Sequence, residues 1–170
     1  MNNKKIFLLA VVLLPIFTSF KAQNVTVNSA LNNVLSIYYD IKNSLVADNN
    51  TEAKNKAKEL SAAVSAVPVD KMDTNQQQTW AAVKDKLLLA SKQISEGKLT
   101  EQRDNFTTLS QNMFDVFNRL KINTTPIYRQ YCPMKKAIWL SEIQNIKNPY
   151  YGKQMLTCGN TTATLPAETR

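Results

Sequence analysis

The stretch Ala53-Lys54-Asn55-Lys56-Ala57-Lys58-Glu59-Leu60-Ser61-Ala62-Ala63-Val64-Ser65-Ala66-Val67 carries apolar side chains at 53, 57, 60, 64 and 67, followed by Pro68. Steps of four, three, four and three place these residues on one stripe of a helix, the spacing of a bundle seam. The small side chains imply a close approach of the neighbouring helix. Upstream, Val27, Leu31, Val34, Leu35, Tyr38, Ile41 and Leu45 form another helical face, broken by Asp48-Asn49-Asn50. Downstream, a third helix is expected after Thr74, whose hydroxyl can cap free amides while Gln77 reaches back, with Trp80, Val83, Leu87, Ala90 and Ile94 inward and Gly97 as the stop. Thr100 can cap a fourth, which presents Phe106, Leu109, Met113, Val116, Phe117 and Leu120 before Asn123-Thr124-Thr125-Pro126 ends it.

Four amphipathic segments joined by short polar connections predict a mainly α fold, an antiparallel up-and-down four-helix bundle. Met113 reads as packing, and Met72 falls in a loop without an evident partner. Residues 127–159 differ: Pro133, Pro149, Gly152 and Gly159 interrupt a segment containing Tyr128, Tyr131, Trp139, Tyr150 and Tyr151. The expectation there is an irregular, aromatic-rich C-terminal cap with a short helix or strand around 137–143, followed by a mobile tail over 160–170.

Lys4 and Lys5, the apolar run from Ile6 to Phe17 and the Lys21-Ala22-Gln23 junction read as a secretory signal peptide over 1–22. The run is shorter than the ~20 residues a spanning helix needs. Cleavage before Gln23 would leave a single domain, periplasmic and free of a membrane span, with the formal charge reduced from +8 to +5. Residues 23–120 are charge-balanced, whereas 121–159 carry Lys121, Arg129, Lys135, Lys136, Lys147 and Lys153 against Glu142 alone. This excess is compatible with thiolates, an anionic partner or a solvated face. An export signal and a helical part without a basic stripe disfavour nucleic acid.

The two cysteines of the chain lie in this basic region, each near a methionine: Cys132 and Met134 in Tyr131-Cys132-Pro133-Met134, and Met155 and Cys158 in Met155-Leu156-Thr157-Cys158. Thiolate and thioether select soft ions such as Cu(I), so the four sulfurs are candidate metal donors. An extended backbone would direct Cys132 and Met134 to one side, and a helical turn would gather Met155 and Cys158. A disulfide is the competing reading for an exported protein. It would close 26 positions and stabilise the fold by roughly 3–4 kcal/mol. A permanent bridge and a dithiolate metal site exclude each other. Enzymatic activity is disfavoured: the chain has no histidine, which removes Ser-His and Cys-His catalysis, and it has no phosphate-binding glycine loop.

Tyr131–Met134, the Trp139-Leu140-Ser141 element, the stretch from Asn148 to Gly159, and Arg103, Phe106, Leu109 and Ser110 together resemble a bacterial family, domain of unknown function 3347. The resemblance runs over roughly residues 27–160. It implies an exported domain connected with copper or related metals, because such domains also occur attached to periplasmic adaptor subunits of heavy-metal efflux systems. An envelope or efflux protein is the partner so implied. The chain lacks the coiled-coil and barrel regions of a complete adaptor. Two functions follow as expectations, a periplasmic soft-metal handling or sensing domain and a disulfide-stapled envelope interaction module.

Overall fold

The computed structural model describes residues 26–168; the expected leader over 1–22 and the mature start at Gln23 lie outside them. The described chain is mainly helical: α1 Val27–Val46, α2 Asn50–Ser65, α3 Thr74–Glu96 and α4 Leu99–Leu120. Each helix packs chiefly on the next in sequence, and α4 also carries part of a small sheet. Among the described residues no helix is long and apolar enough to cross a membrane.

The predicted stripes are the buried faces. All seven α1 residues, the five of the α2 stripe and the five of α3 are buried; of the α4 set only Leu120 is partly exposed. Asp48 takes a left-handed conformation (φ 59°) between α1 and α2, and Asn49 accepts the Glu52 N–H to cap α2. Two caps differ from expectation. Asp73 caps α3, accepting the Gln76 N–H while Gln76 accepts the Asp73 N–H; this capping box lies one residue before the Thr74/Gln77 pair. A carboxylate is the stronger acceptor at the positive end of a helix. At α4 the Glu101 carboxylate accepts the Lys98 N–H at 2.7 Å, so the helix starts ahead of Thr100. Met72, expected without a partner, is buried in the core beside the short 3-10 turn Val69–Lys71.

The cap is regular where irregularity was expected. It is a three-stranded antiparallel sheet of order β2-β1-β3, made of β1 Ile127–Cys132, β2 Ala137–Ser141 and β3 Asn160–Leu165. The expected tail thus begins as a strand. Central β1 offers hydrogen-bonding groups on both sides, and the threonine-rich Asn160–Leu165 segment suits a half-covered edge. A bulge interrupts the β1–β3 ladder at Arg129/Gln130. Beyond β3, the Asn123 side chain donates to Pro166 O at 2.8 Å, and Glu168 N–H donates to Asn123 O at 3.0 Å.

The sheet is locked to the helices through β2, which is buried at all five positions. Leu140 N–H donates to the Tyr38 hydroxyl of α1 at 2.9 Å, and Tyr38 shares a second hydrogen bond with Ser110 of α4 at 2.7 Å. The Tyr38 ring stacks on Phe106 at 5.1 Å; Phe106 contacts Tyr150, which meets Trp139 edge-on. The aromatic residues of the cap therefore continue the helical core.

A second link is ionic. Lys42 of α1, fully buried, reaches Glu142 Oε2 at 2.5 Å, Ser141 Oγ at 3.3 Å and the face of Tyr39. Burial pulls the Lys42 ammonium below its ordinary value despite the bond and charge of Glu142. Burial acts on Glu142 in the upward direction, but the Lys42 hydrogen bond, its own backbone amide, the Lys42 charge and the Asn43 amide together hold it below the usual value. Glu142→Ala is expected to cost about 2–3 kcal/mol in urea unfolding, because Lys42 loses its counterion, whereas Lys42→Met with Glu142→Gln should stay within about 1 kcal/mol of the parent. The depressed Glu142 pKa means that its contribution is present above the ordinary carboxylate pKa and is lost as pH falls through the folded value. Acid-unfolding curves of parent and Glu142→Gln should therefore converge at low pH.

Candidate metal centre

Cys132 ends β1 with its side chain wholly buried, and Cys158 lies partly exposed just before β3. The antiparallel register pairs Tyr131 with Asn160, so the chain brings the two cysteines side by side where the β1–β3 ladder opens. Both thiols are free. Asn148 joins them: its Nδ2 donates to Cys132 Sγ at 3.2 Å and to Cys158 O at 2.7 Å. Lys135 N–H also points at Cys132 Sγ, at 3.4 Å. Two N–H dipoles thus converge on one buried sulfur, an arrangement suited to a thiolate ligand. Partial burial pushes the Cys158 thiol above its ordinary value, and the charge and hydrogen bond of Cys132 push it the same way.

The methionines are placed unequally. Met155 follows the 3-10 turn Gly152–Gln154 and accepts the Cys158 N–H on its carbonyl at 3.0 Å, a backbone turn in place of the helical turn expected to gather the two side chains. Met134 lies in the β1–β2 turn and is 62% exposed, whereas Cys132 is 0% exposed. The strand ends at Cys132, so the extended geometry expected to align it with Met134 is absent. Among the described residues no group of three or more cysteine, histidine or acidic side chains could hold a metal ion.

The residues around the cysteines hold the 142–159 loop in place. Arg103 of α4 donates through Nε to Pro149 O and through Nη2 to Leu45 O and the Asp48 carboxylate. Gly152 (φ +55°) sits against this Arg103–Asp48 pair so closely that a Cβ would collide with both side chains. The Tyr150 hydroxyl donates to Ile138 O, and its backbone N–H donates to Asn148 Oδ1 at 2.8 Å. Gly159 (φ +149°) lets the chain pass Trp139, whose ring would lie 2.7 Å from an added Cβ. Gln130 completes the attachment, donating to Ile143 O and Gln144 O.

Sequence reasoning missed Asn148, Asp48 and Gln130 as site supports. Asp48 meets the Arg103 guanidinium, and Asn148 and Gln130 bond backbone or sulfur atoms ten or more residues away, contacts that no periodicity reports. For Asn148 one signal was present: an asparagine before proline, inside the segment that also holds Met155 and Cys158.

Gly152→Ala is expected to lower stability by about 2–4 kcal/mol, from the left-handed backbone and the displaced Asp48–Arg103 pair, as measured by thermal or urea unfolding. Iodoacetamide followed by peptide mass mapping should modify Cys158 well before buried Cys132. The Cys158 alkylation rate should keep rising at pH values where an unstructured cysteine has levelled off. Cys132→Ser should move that inflection downward.

A family model described as "Protein of unknown function (DUF3347)" matches residues 34–125, from within α1 to the connection before β1. No curated protein and no solved structure matches the chain. The matched span is more than half of the chain and contains Arg103 and Phe106, the α4 residues on which the cysteine loop and the aromatic stack rest. The chain belongs to the DUF3347 family of proteins of unknown function.

Proposed function

We propose that this domain handles or senses soft metal ions, Cu(I) foremost, in the periplasm, with Cys132 and Cys158 as thiolate donors and Met155 and Met134 as thioether donors. The observation that carries this reading is the adjacency of the two cysteines around Asn148, with two N–H groups directed at Cys132 Sγ. Soft sulfur without histidine or carboxylate favours a soft monovalent ion over Mg(II) or Ca(II). Met155 is the less exposed of the two thioethers, and Met134 would have to fold inward from its exposed turn. The helices, with their short connections in an up-and-down antiparallel order, serve as a rigid platform.

Titration of the reduced domain with Cu(I) against a competing chelator should give one tight site, with Mg(II) unable to compete. Cys132→Ser with Cys158→Ser should abolish it, Met155→Leu should weaken it modestly, and Met134→Leu should weaken it least. Equal, negligible binding by the parent and the double cysteine variant would overturn the proposal.

The same adjacency supports a second reading, a Cys132–Cys158 bridge in an interaction module whose basic cap meets an envelope or efflux protein. Thiol counting by mass spectrometry on protein from its native compartment, without added reductant, separates the two. Free thiols protected from alkylation by metal favour the metal site, and a stoichiometric bridge favours the module.

A further inference from the structure

On the face of the sheet that carries Arg129 and Tyr131, α4 and the β1–β2 hairpin enclose an open groove of about 550 Å³. Alternation along β1 sends Arg129 and Tyr131 to this side, while Gln130 and Cys132 are buried. The floor is polar: Thr107, Thr108, Gln111 and Asn112 come from α4. The walls are cationic, with Lys86 from α3, Arg129 from β1 and Lys136 from the hairpin turn, against the single carboxylate of Asp115.

These cations differ from those that join elements of the fold to one another. Lys42, Arg103 and Lys135 each meet a carboxylate, whereas Lys86, Arg129 and Lys136 have no salt-bridge partner among the described residues. Arg129 is nevertheless held rigidly. Its guanidinium lies over Phe114 at 5.0 Å, Nη1 donates to Thr162 Oγ1 at 2.6 Å, and Nε is buried without a hydrogen-bond partner. Asp115, the obvious counterion, instead accepts from Gln111. A planar guanidinium fixed on an aromatic ring with hydrogen-bonding capacity to spare is prepared for an oxyanion. The side-chain entropy cost of binding is already met by the stack and the Thr162 bond.

We propose that this groove is a binding site for a small oxyanion ligand, carboxylate- or phosphate-bearing, with Arg129 as the principal anchor, Lys136 and Lys86 as flanking cations, and the α4 hydroxyl and amide groups contacting the polar body of the ligand. The site is separate from the cysteines and does not depend on the metal reading. Inorganic phosphate and citrate are the probes, titrated separately into isotope-labelled protein at constant ionic strength with chloride as the reference. The expected result is saturable amide shifts confined to α4 around 107–115, to β1 around 129–131 and to 136–138. Saturation by phosphate alone assigns a phosphate ligand, and saturation by citrate alone a carboxylate one. Arg129→Gln should weaken binding about tenfold or more, from loss of a charge-assisted hydrogen bond. Lys136→Gln, in an exposed turn, should weaken it several-fold with an unchanged circular dichroism spectrum. Should Arg129→Gln disturb the sheet, the Lys136→Gln and Lys86→Gln titrations decide the matter. The proposal is overturned if neither anion saturates, if shifts spread equally over Lys147 and Lys153, or if the folded lysine variants bind as the parent does.

Discussion

An edge strand inside a core must place its outward N–H and C=O groups somewhere, and β2 depends on two tyrosine hydroxyls to do so. Leu140 N–H donates to Tyr38, and Ile138 O accepts from Tyr150. A strand edge left unpaired in an apolar setting costs a few kcal/mol for each group. Both rings belong to the stack that runs from α1 through Phe106 to Trp139. The groups that satisfy the sheet are thus part of the packing that holds the helices together. The positions of Trp139, the 142–159 loop and the cysteines all follow from this docking.

Most of the distinctive residues near the cysteines fix the geometry of the two thiols. Asn148, Tyr150 and Gly152 hold the loop against Arg103, Asp48 and Ile138, and Gly159 clears Trp139. Cys132 is consequently fixed from three directions, by its strand, by Lys135 N–H and by the Asn148 amide. Cys158 has more freedom on the open side. Under the proposed soft-ion reading, one fixed sulfur and one more accessible sulfur would let the accessible ligand exchange first.

Basic side chains in and around the cap have more than one use. Lys42, Arg103 and Lys135 connect elements through carboxylates, whereas Lys86, Arg129 and Lys136 surround a groove without such partners. Of the basic surplus over 121–159, Lys135 is therefore structural. Arg129 and Lys136 of that surplus, with Lys86 of α3, lie beside α4 on the opposite side of β1 from Cys132, where their field is available to solutes.

The sequence by itself determined the four helices and their buried faces, since periodicity is a local property and nearly every predicted stripe residue is buried. It also brought together the cysteine-containing segments as a unit of interest. Cap positions slipped by a residue or more, at Asp73 and Lys98, because several polar side chains compete for the same free amides. Only tertiary structure decided that Asn160–Leu165 is a strand, since a short threonine-rich segment acquires that state by pairing with β1. Tertiary structure likewise turned Met134 outward, buried Met72 and made Asn148 the link between the cysteines. These outcomes depend on contacts outside the local segment, and a one-dimensional pattern contains the residue types but not the contacts that choose among their conformations.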